Sequence, residues 1–217
     1  VEVKNVVLLD SEKHAKAWDD YVSSKENASI YHFWSFKKII QKTFSHKTVY
    51  LAAFDSTGEI CGVLPAIEMK SRLFGHFIIS LPFFTYGAML AENEVVEEKL
   101  CEFLFDYAKR VGVAHVELRA MHIRDKFTSS APSKDNKVSM VRRLPKLRDQ
   151  LWSDIGTKVR AQIKKAQRFP LEIKFGKSEL LNDFYAVFSE NMRDLGTPVY
   201  SKRFFKEIIL SSLSEQF

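Results

Sequence analysis

Two cysteines in 217 residues, Cys61 and Cys101, are too few and too isolated for a disulfide framework or a zinc site. Each reads as a small buried apolar residue. Glycine and proline are also scarce, at 8 and 6, and with a charged fraction of 28% this argues against disorder or low complexity. No apolar run reaches the length of a bilayer. The longest, Phe77 to Phe84, is broken by Ser80 and Pro82. Nothing resembles a signal peptide, so the cytoplasm is the expected compartment, with peripheral membrane contact still open. His32, His46, His76, His115 and His122 show no ligand spacing, and there is no Ser/His/Asp set, P-loop or glycine-rich pyrophosphate loop. No metal site is expected.

Hydrophobic residues make up 46% of the chain, including 18 Phe, which is ample material for a core. The length suits one large domain or one and a half small ones. The net charge is +6 and the excess is uneven: Lys137 to Arg168 holds ten Lys and Arg against two Asp. A local excess of this kind points to an anionic or phosphate-bearing partner. At its centre lies Gly156-Thr-Lys-Val-Arg-Ala-Gln-Ile-Lys-Lys-Ala-Gln-Arg168. Ile155, Val159, Ile163 and Ala166 recur there at helical spacing, so one face can bury while the others stay charged. Thr157 can cap the first amides. The dipole-positive early turns carry Lys158 and Arg160, which suits phosphates; a solvated basic face is the plainer alternative.

The order of elements follows from periodicity. Ser11 to Val22 reads as a helix with Ala15, Trp18 and Val22 inward. Phe33 to Phe44 is a second, with Phe36, Ile39, Ile40 and Phe44 inward and Lys37, Lys38 and Lys42 outward. Lys47 to Phe54 and Glu59 to Met69 flank the turn Asp55-Ser-Thr-Gly58 as a hairpin, with Pro65 suggesting an edge or a bulge. Phe77 to Leu81 gives a strand, Glu92 to Val111 a helix stopped by Gly112, and Val113 to Arg119 another strand. Residues 121 to 136 read as a loop, Val138 to Leu144 and Leu171 to Phe175 as strands, and Ser178 to Arg193 and a stretch from Lys202 as helices. The sum is an α/β (α+β) fold, a mixed sheet with helices packed on it. A break near Pro145 separates a first unit, 1–145, from a second that has barely begun, 146–217.

Two segments stand out chemically. In Pro82-Phe-Phe-Thr-Tyr-Gly87 the aromatic faces could wall a cleft for a sugar or peptide, with the Tyr86 hydroxyl as polar tip. Alternatively, Phe83 and Phe84 plug the core at a strand end. Asn191, Arg193, Asp194 and Tyr200 surround a turn whose Gly196 and Pro198 are explained by backbone geometry alone. The four polar side chains exceed what a turn needs. Arg193 would clamp an anion, and Asp194 would orient it or act as base for an attacking amine. His115 and Glu117 should share one face of their strand, a pair but not a site.

Three local sequences then carry a resemblance. Lys70-Ser-Arg-Leu-Phe-Gly75 leading into Ser80-Leu-Pro-Phe-Phe-Thr-Tyr-Gly87, the helix Lys158-Val-Arg-Ala-Gln-Ile-Lys-Lys-Ala166, and Asn191-Met-Arg-Asp-Leu-Gly-Thr-Pro-Val-Tyr200 resemble FemAB-related, GNAT-like acyltransferases. The nearest subgroup is the one associated with exopolysaccharide and PEP-CTERM systems. The likeness runs over nearly the whole chain. It implies a pair of GNAT-like domains and transfer of an acyl group to an amine. The donor would be aminoacyl-tRNA or acyl-CoA, with no cofactor firmly implied, and the acceptor a muropeptide or other envelope precursor. It also implies that Lys158 and Arg160 contact acceptor phosphates, and that Lys38 could do so from the second helix. Arg suits that task because its planar fork meets two oxygens. Family members are longer, so the resemblance implies that this chain is the N-terminal part of a longer enzyme, or a degenerate member, with the rest of the second domain missing from it.

Two readings follow. The first is an acyltransferase-type protein acting on a cell-envelope or exopolysaccharide substrate, with catalytic Asp194 and Tyr200 and substrate contacts from Lys38, Tyr86, Lys158, Arg160, Asn191 and Arg193. The second is a non-catalytic GNAT-like module that binds RNA, tRNA included, or an anionic glycan through its basic stretch. Only Trp152 precedes Phe169 there, which is thin for base stacking. Apolar surface on the incomplete second unit could also drive self-association.

Overall fold

The computed structural model describes residues 2–120, 132, 140–170 and 172–211. The expected hairpin forms its centre: β2 (Lys47–Asp55) pairs with β3 (Ile60–Ser71) around a turn in which the Asp55 carboxylate accepts from the Thr57 amide at 2.9 Å. Within β2 every residue from Thr48 to Ala53 is buried, because helices cover both faces of the sheet. The sequence reading missed β1 (Val3–Leu8), which pairs antiparallel with the outer edge of β2. β4 (Gly75–Ile79) and the two-residue β5 (Leu90–Ala91) both pair antiparallel with β3, and β6 (Val116–Glu117) runs parallel to β4. The sheet is mixed and flanked by helices, the fold class expected.

Pro65 sits in β3, but not at a bulge. It faces Tyr50 of β2 on one side, while on the other β5 ends its pairing at Val63 and β4 begins at Ile67. The imino acid occupies a stretch where half of the ladder is already absent, so its missing donor is tolerated.

On one face lie α1 (Ala15–Ser23) and α2 (Trp34–Phe44); on the other lies α3 (Glu94–Val111). Trp18, Trp34 and Tyr50 interlock with ring centroids 4.9 to 5.7 Å apart, and the Trp18 indole donates to the His32 carbonyl at 2.7 Å. α3 lies close over the sheet at Gly62, where a Cβ would come within 2.4 Å of Val96. Asn93 caps α3 through the Val96 amide, and Gly112 ends it at φ 69°.

Several expectations need correction. Lys37 does not point to solvent. It is 2% exposed, its ammonium lies 4.4 Å over the Trp34 ring, and it donates to the Asp10 carbonyl at 3.1 Å. The loop after β1 thus covers a helix face that periodicity left outside. Of the strand expected over Val138–Leu144, residues 140–144 carry no regular structure and the rest lies outside the described residues; 172–175 are likewise irregular, and residue 171 is outside. Beyond 145 come α4 (Arg148–Asp154), α5 (Thr157–Ala166), α6 (Leu181–Asp194) and α7 (Lys202–Ile209). No residue of α4 or α5 is buried: Val159 is 50% exposed and Ile155 and Ile163 are only half-buried, so the apolar stripe of the basic helix is incompletely covered among the described residues. Its N-cap is Gly156 and Thr157 is its first residue, so the hydroxyl cap is not used. By contrast α7 packs on α2, and its Phe204, 4% exposed, joins the core beside Ile40 and Tyr50.

Candidate functional site

The parallel strands β4 and β6 part after a short run, and the chain between them builds the most distinctive surface of the protein. The Ser80 amide still bonds to the Glu117 carbonyl at 2.9 Å. The Arg119 amide then takes the buried Ser80 hydroxyl at 2.7 Å, and Gly87 returns to the Arg119 carbonyl at 2.9 Å. Between these anchors residues 81 to 86 leave the sheet. The departure is strained, for buried Leu81 has φ 46°, a left-handed conformation that side chains rarely adopt. A Cβ at Gly87 would lie 2.4 Å from the Leu81 side chain, so only glycine closes the loop.

Arg119 holds the loop in shape. Its guanidinium donates to the carbonyls of Pro82 at 2.6 Å and Phe84 at 3.1 Å while pairing with Glu117 at 2.8 Å. The sequence reading did not single out Arg119. No spacing signals a side chain that reaches carbonyls more than thirty positions away.

The rings so placed form a continuous aromatic floor with α2 and α7. Phe83 stacks on Phe44 at 4.1 Å, and Phe84 stacks on Tyr31 at 4.2 Å and meets Phe36 edge-on at 4.9 Å. Tyr86 meets Tyr31 at 6.2 Å, and Tyr200 lies edge-on to both Phe83 at 6.1 Å and Phe204 at 5.5 Å. Phe83 and Phe84 are half-buried and packed against the core, as the plainer of the two expectations for this loop had it. Tyr31, Tyr86 and Tyr200 give the rim three hydroxyls with no hydrogen-bond partner among the described residues. His46, also missed in the sequence, stacks on Phe44 and lies 6.0 Å from Phe83. Burial pushes its imidazole below the ordinary value, leaving it neutral at pH 7.

The other expected residues lie elsewhere or are engaged. Lys38 is exposed on α2 and pairs with Glu12 at 2.6 Å. The Arg160 guanidinium reaches back to the carbonyls of Trp152 and Ser153, both at 3.2 Å, and so caps the C-terminus of α4. Lys158 is exposed, without an ion pair among the described residues. Asn191, Arg193 and Asp194 occupy the exposed last turn of α6, where Arg193 is held by Asp194 at 2.9 Å and by Glu190 at 3.5 Å. Of the expected site residues, only Tyr86 and Tyr200 meet in one network of rings. His115 stacks on Phe77 at 5.2 Å, and Glu117 is turned to Arg119. No group of three potential metal ligands occurs among the described residues. A shallow depression of about 310 Å³ between α1 and α2 is bordered by Lys25, Ser29, Ile30 and Phe33, but its one cation is already paired with Glu92.

No family model matches the sequence, and no curated protein matches it either. Among solved structures, FemX matches at 15% identity with a TM-score of 0.58, covering 94% of this chain and 54% of the FemX chain. The fold is FemX-like. The chain therefore spans about half the length of FemX. A GNAT family acetyltransferase of Staphylococcus aureus matches at 14% identity over 64% of this chain and 97% of its own, with a TM-score of 0.38. A ribosomal-protein-alanine N-acetyltransferase of Brucella melitensis biovar Abortus matches at 13% over 64% and 99%, with a TM-score of 0.41. The fold comparison rests on FemX, the one of the three with a TM-score above 0.5.

Proposed function

We propose that this chain belongs to an acyltransferase-type protein that passes an acyl or aminoacyl group to an amine of a cell-envelope or exopolysaccharide precursor. The observation that carries the reading is the aromatic floor with free tyrosine hydroxyls, placed where the parallel strands of a FemX-like sheet part. Such a floor stacks a sugar or peptide while Tyr86 and Tyr200 orient it. The attacking amine must lose a proton, and the neutral His46 beside Phe83 is placed to take it. Asp194 could serve instead only after release from Arg193. Transfer would go by direct amine attack on the donor's acyl carbonyl, with the tetrahedral intermediate collapsing to expel the tRNA hydroxyl or the CoA thiol, which takes up the proton lost by the amine. Catalysis would come from positioning and from stabilising that intermediate. Residues 1–145 would form the first GNAT-like unit and 146–217 the basic helix and the opening of a second. An acceptor phosphate would meet Lys158 and, once freed from its capping role, Arg160.

The test is mass gain of a muropeptide precursor offered with aminoacyl-tRNA or acyl-CoA, alongside direct binding of the same precursor. Tyr86→Phe with Tyr200→Phe should weaken acceptor binding by about tenfold, the scale of losing two hydrogen bonds. His46→Gln should cut transfer by about a hundredfold and leave acceptor binding unchanged. Transfer that ignores both variants would overturn the reading.

The basic helix has no buried residue, and its Lys158, Lys164 and Lys165 are exposed, which supports the second reading, a module docking RNA or an anionic glycan. Binding of tRNA and heparin that falls steeply between about 0.05 and 0.2 M salt, with no saturable precursor binding, would favour it.

A further inference from the structure

The opposite end of β4 carries a feature that the acceptor site leaves unexplained. The tight turn from β3 to β4 displays two adjacent large apolar side chains to solvent, Leu73 at 82% and Phe74 at 77% exposure. The tip is ordered, since the amides of both residues donate to the Ser71 hydroxyl at 3.2 Å. Exposed apolar residues scattered singly are ordinary; a preformed tip that presents a neighbouring Leu and Phe is not. Cations surround it. Lys70 and Arg72 lie just before the pair in the chain, both exposed and without ion pairs among the described residues. Farther down the same end, Lys47 and Arg110 both lie over the Tyr107 ring, 5.4 and 6.0 Å from its centroid. The nearby acids are occupied: Glu68 accepts from His76 and Tyr107, both at 2.9 Å, and pairs with Lys47 at 3.6 Å, and Asp106 pairs with Lys109 at 3.8 Å, which leaves Lys70 and Arg72 as the unpaired cations of the tip among the described residues.

We propose that this β3–β4 tip is a docking point for an anionic lipid surface. Leu73 and Phe74 enter the boundary between headgroups and acyl chains, and Lys70 and Arg72 meet the headgroup phosphates, with Lys47 and Arg110 behind them. The two contributions are each modest, one from apolar transfer and one from charge near a negative surface, and stable docking needs both. Charge complementarity selects the lipid over a protein partner. A purely apolar socket would leave two cations beside the pair without counter-ions, whereas a headgroup layer supplies both environments at the right depths. The inference stands apart from the acyl-transfer reading, since it uses none of the acceptor-site residues.

The experiment is sedimentation of the full chain with vesicles of phosphatidylcholine alone or with phosphatidylglycerol added to about 30 mol%, in about 0.1 M salt. Phosphatidylglycerol should strengthen binding at least about tenfold. L73S/F74S should weaken it by about tenfold or more without moving the melting temperature, because both side chains are exposed. K164Q/K165Q, which discharges the basic helix instead, should weaken it by less than about threefold. As a second readout, Phe74→Trp should shift its emission to the blue on binding and be quenched by lipids brominated in the acyl chain. Equal binding by L73S/F74S, absence of quenching, or no sedimentation with either vesicle would overturn the proposal. So would a change in sedimentation coefficient of L73S/F74S without lipid, which would make the tip a protein contact.

Discussion

Glu68 ties three strands and a helix together with one carboxylate. Burial pushes it up, but the hydrogen bonds from His76 and Tyr107 and the charge of Lys47, 3.6 Å away, outweigh that and hold it below its ordinary value. A carboxyl depressed in the folded state contributes stability above its unfolded value of about 4.5, and that contribution is lost as pH falls through the folded value. Glu68→Gln should therefore cost about 1–2 kcal/mol at pH 7, and the cost should shrink towards zero below about pH 4. Thermal melts of both proteins between pH 3 and 7 would check this; a constant difference would rule it out. Glu68 was read in the sequence only as part of a strand, and its partners lie 8, 21 and 39 positions away. Lys37 shows the same limit. A helical wheel places it outside, and only a loop arriving from β1 puts it in.

At the scale of elements, the loop between β4 and β5 depends on a brace that belongs to neither. Arg119→Ala removes three donated hydrogen bonds and frees a strained backbone at Leu81. We expect a loss of about 1–3 kcal/mol, with faster amide exchange confined to residues 81–87 and weaker acceptor binding at the aromatic floor. Unchanged exchange at the Phe84 and Gly87 amides would count against the brace. The hairpin β2–β3 and helices α1, α2 and α3 were legible in advance because each carries its own period and stop signals. Ala15–Ser23, Trp34–Phe44 and Glu94–Val111 fall within a few residues of the expected spans. β1 and β5 were not. A six-residue edge strand with no buried residue and no alternation of exposed and covered positions, and a two-residue strand, have too little pattern to stand out.

For the whole molecule, the informative contact is the docking of α7 on α2. Phe204 touches rings from three sources: Phe44 at 5.4 Å, Tyr200 at 5.5 Å, and both Phe83 and Phe84 at 6.3 Å. A residue near the end of the described chain thus completes the floor begun by the loop after β4. Phe204→Ala should cost about 3–5 kcal/mol and weaken acceptor binding together with stability. Denaturant unfolding with equilibrium binding would show whether the two losses travel together. A variant that unfolds earlier but binds equally well would separate α7 from the site.

The sequence by itself determined the mixed α/β class, the central hairpin, the principal helices, the basic stretch and the aromatic segment Phe83 to Tyr86. All of these are local, written in periodicity, turn residues and composition. Tertiary structure alone decided that Tyr86 and Tyr200 share one floor, that Arg119 braces it, that Lys37 is buried and Arg160 caps a neighbouring helix, and that Leu73 and Phe74 stand exposed. Those outcomes depend on which groups meet across long separations. A one-dimensional pattern records what a residue can do, and packing determines which partner it meets.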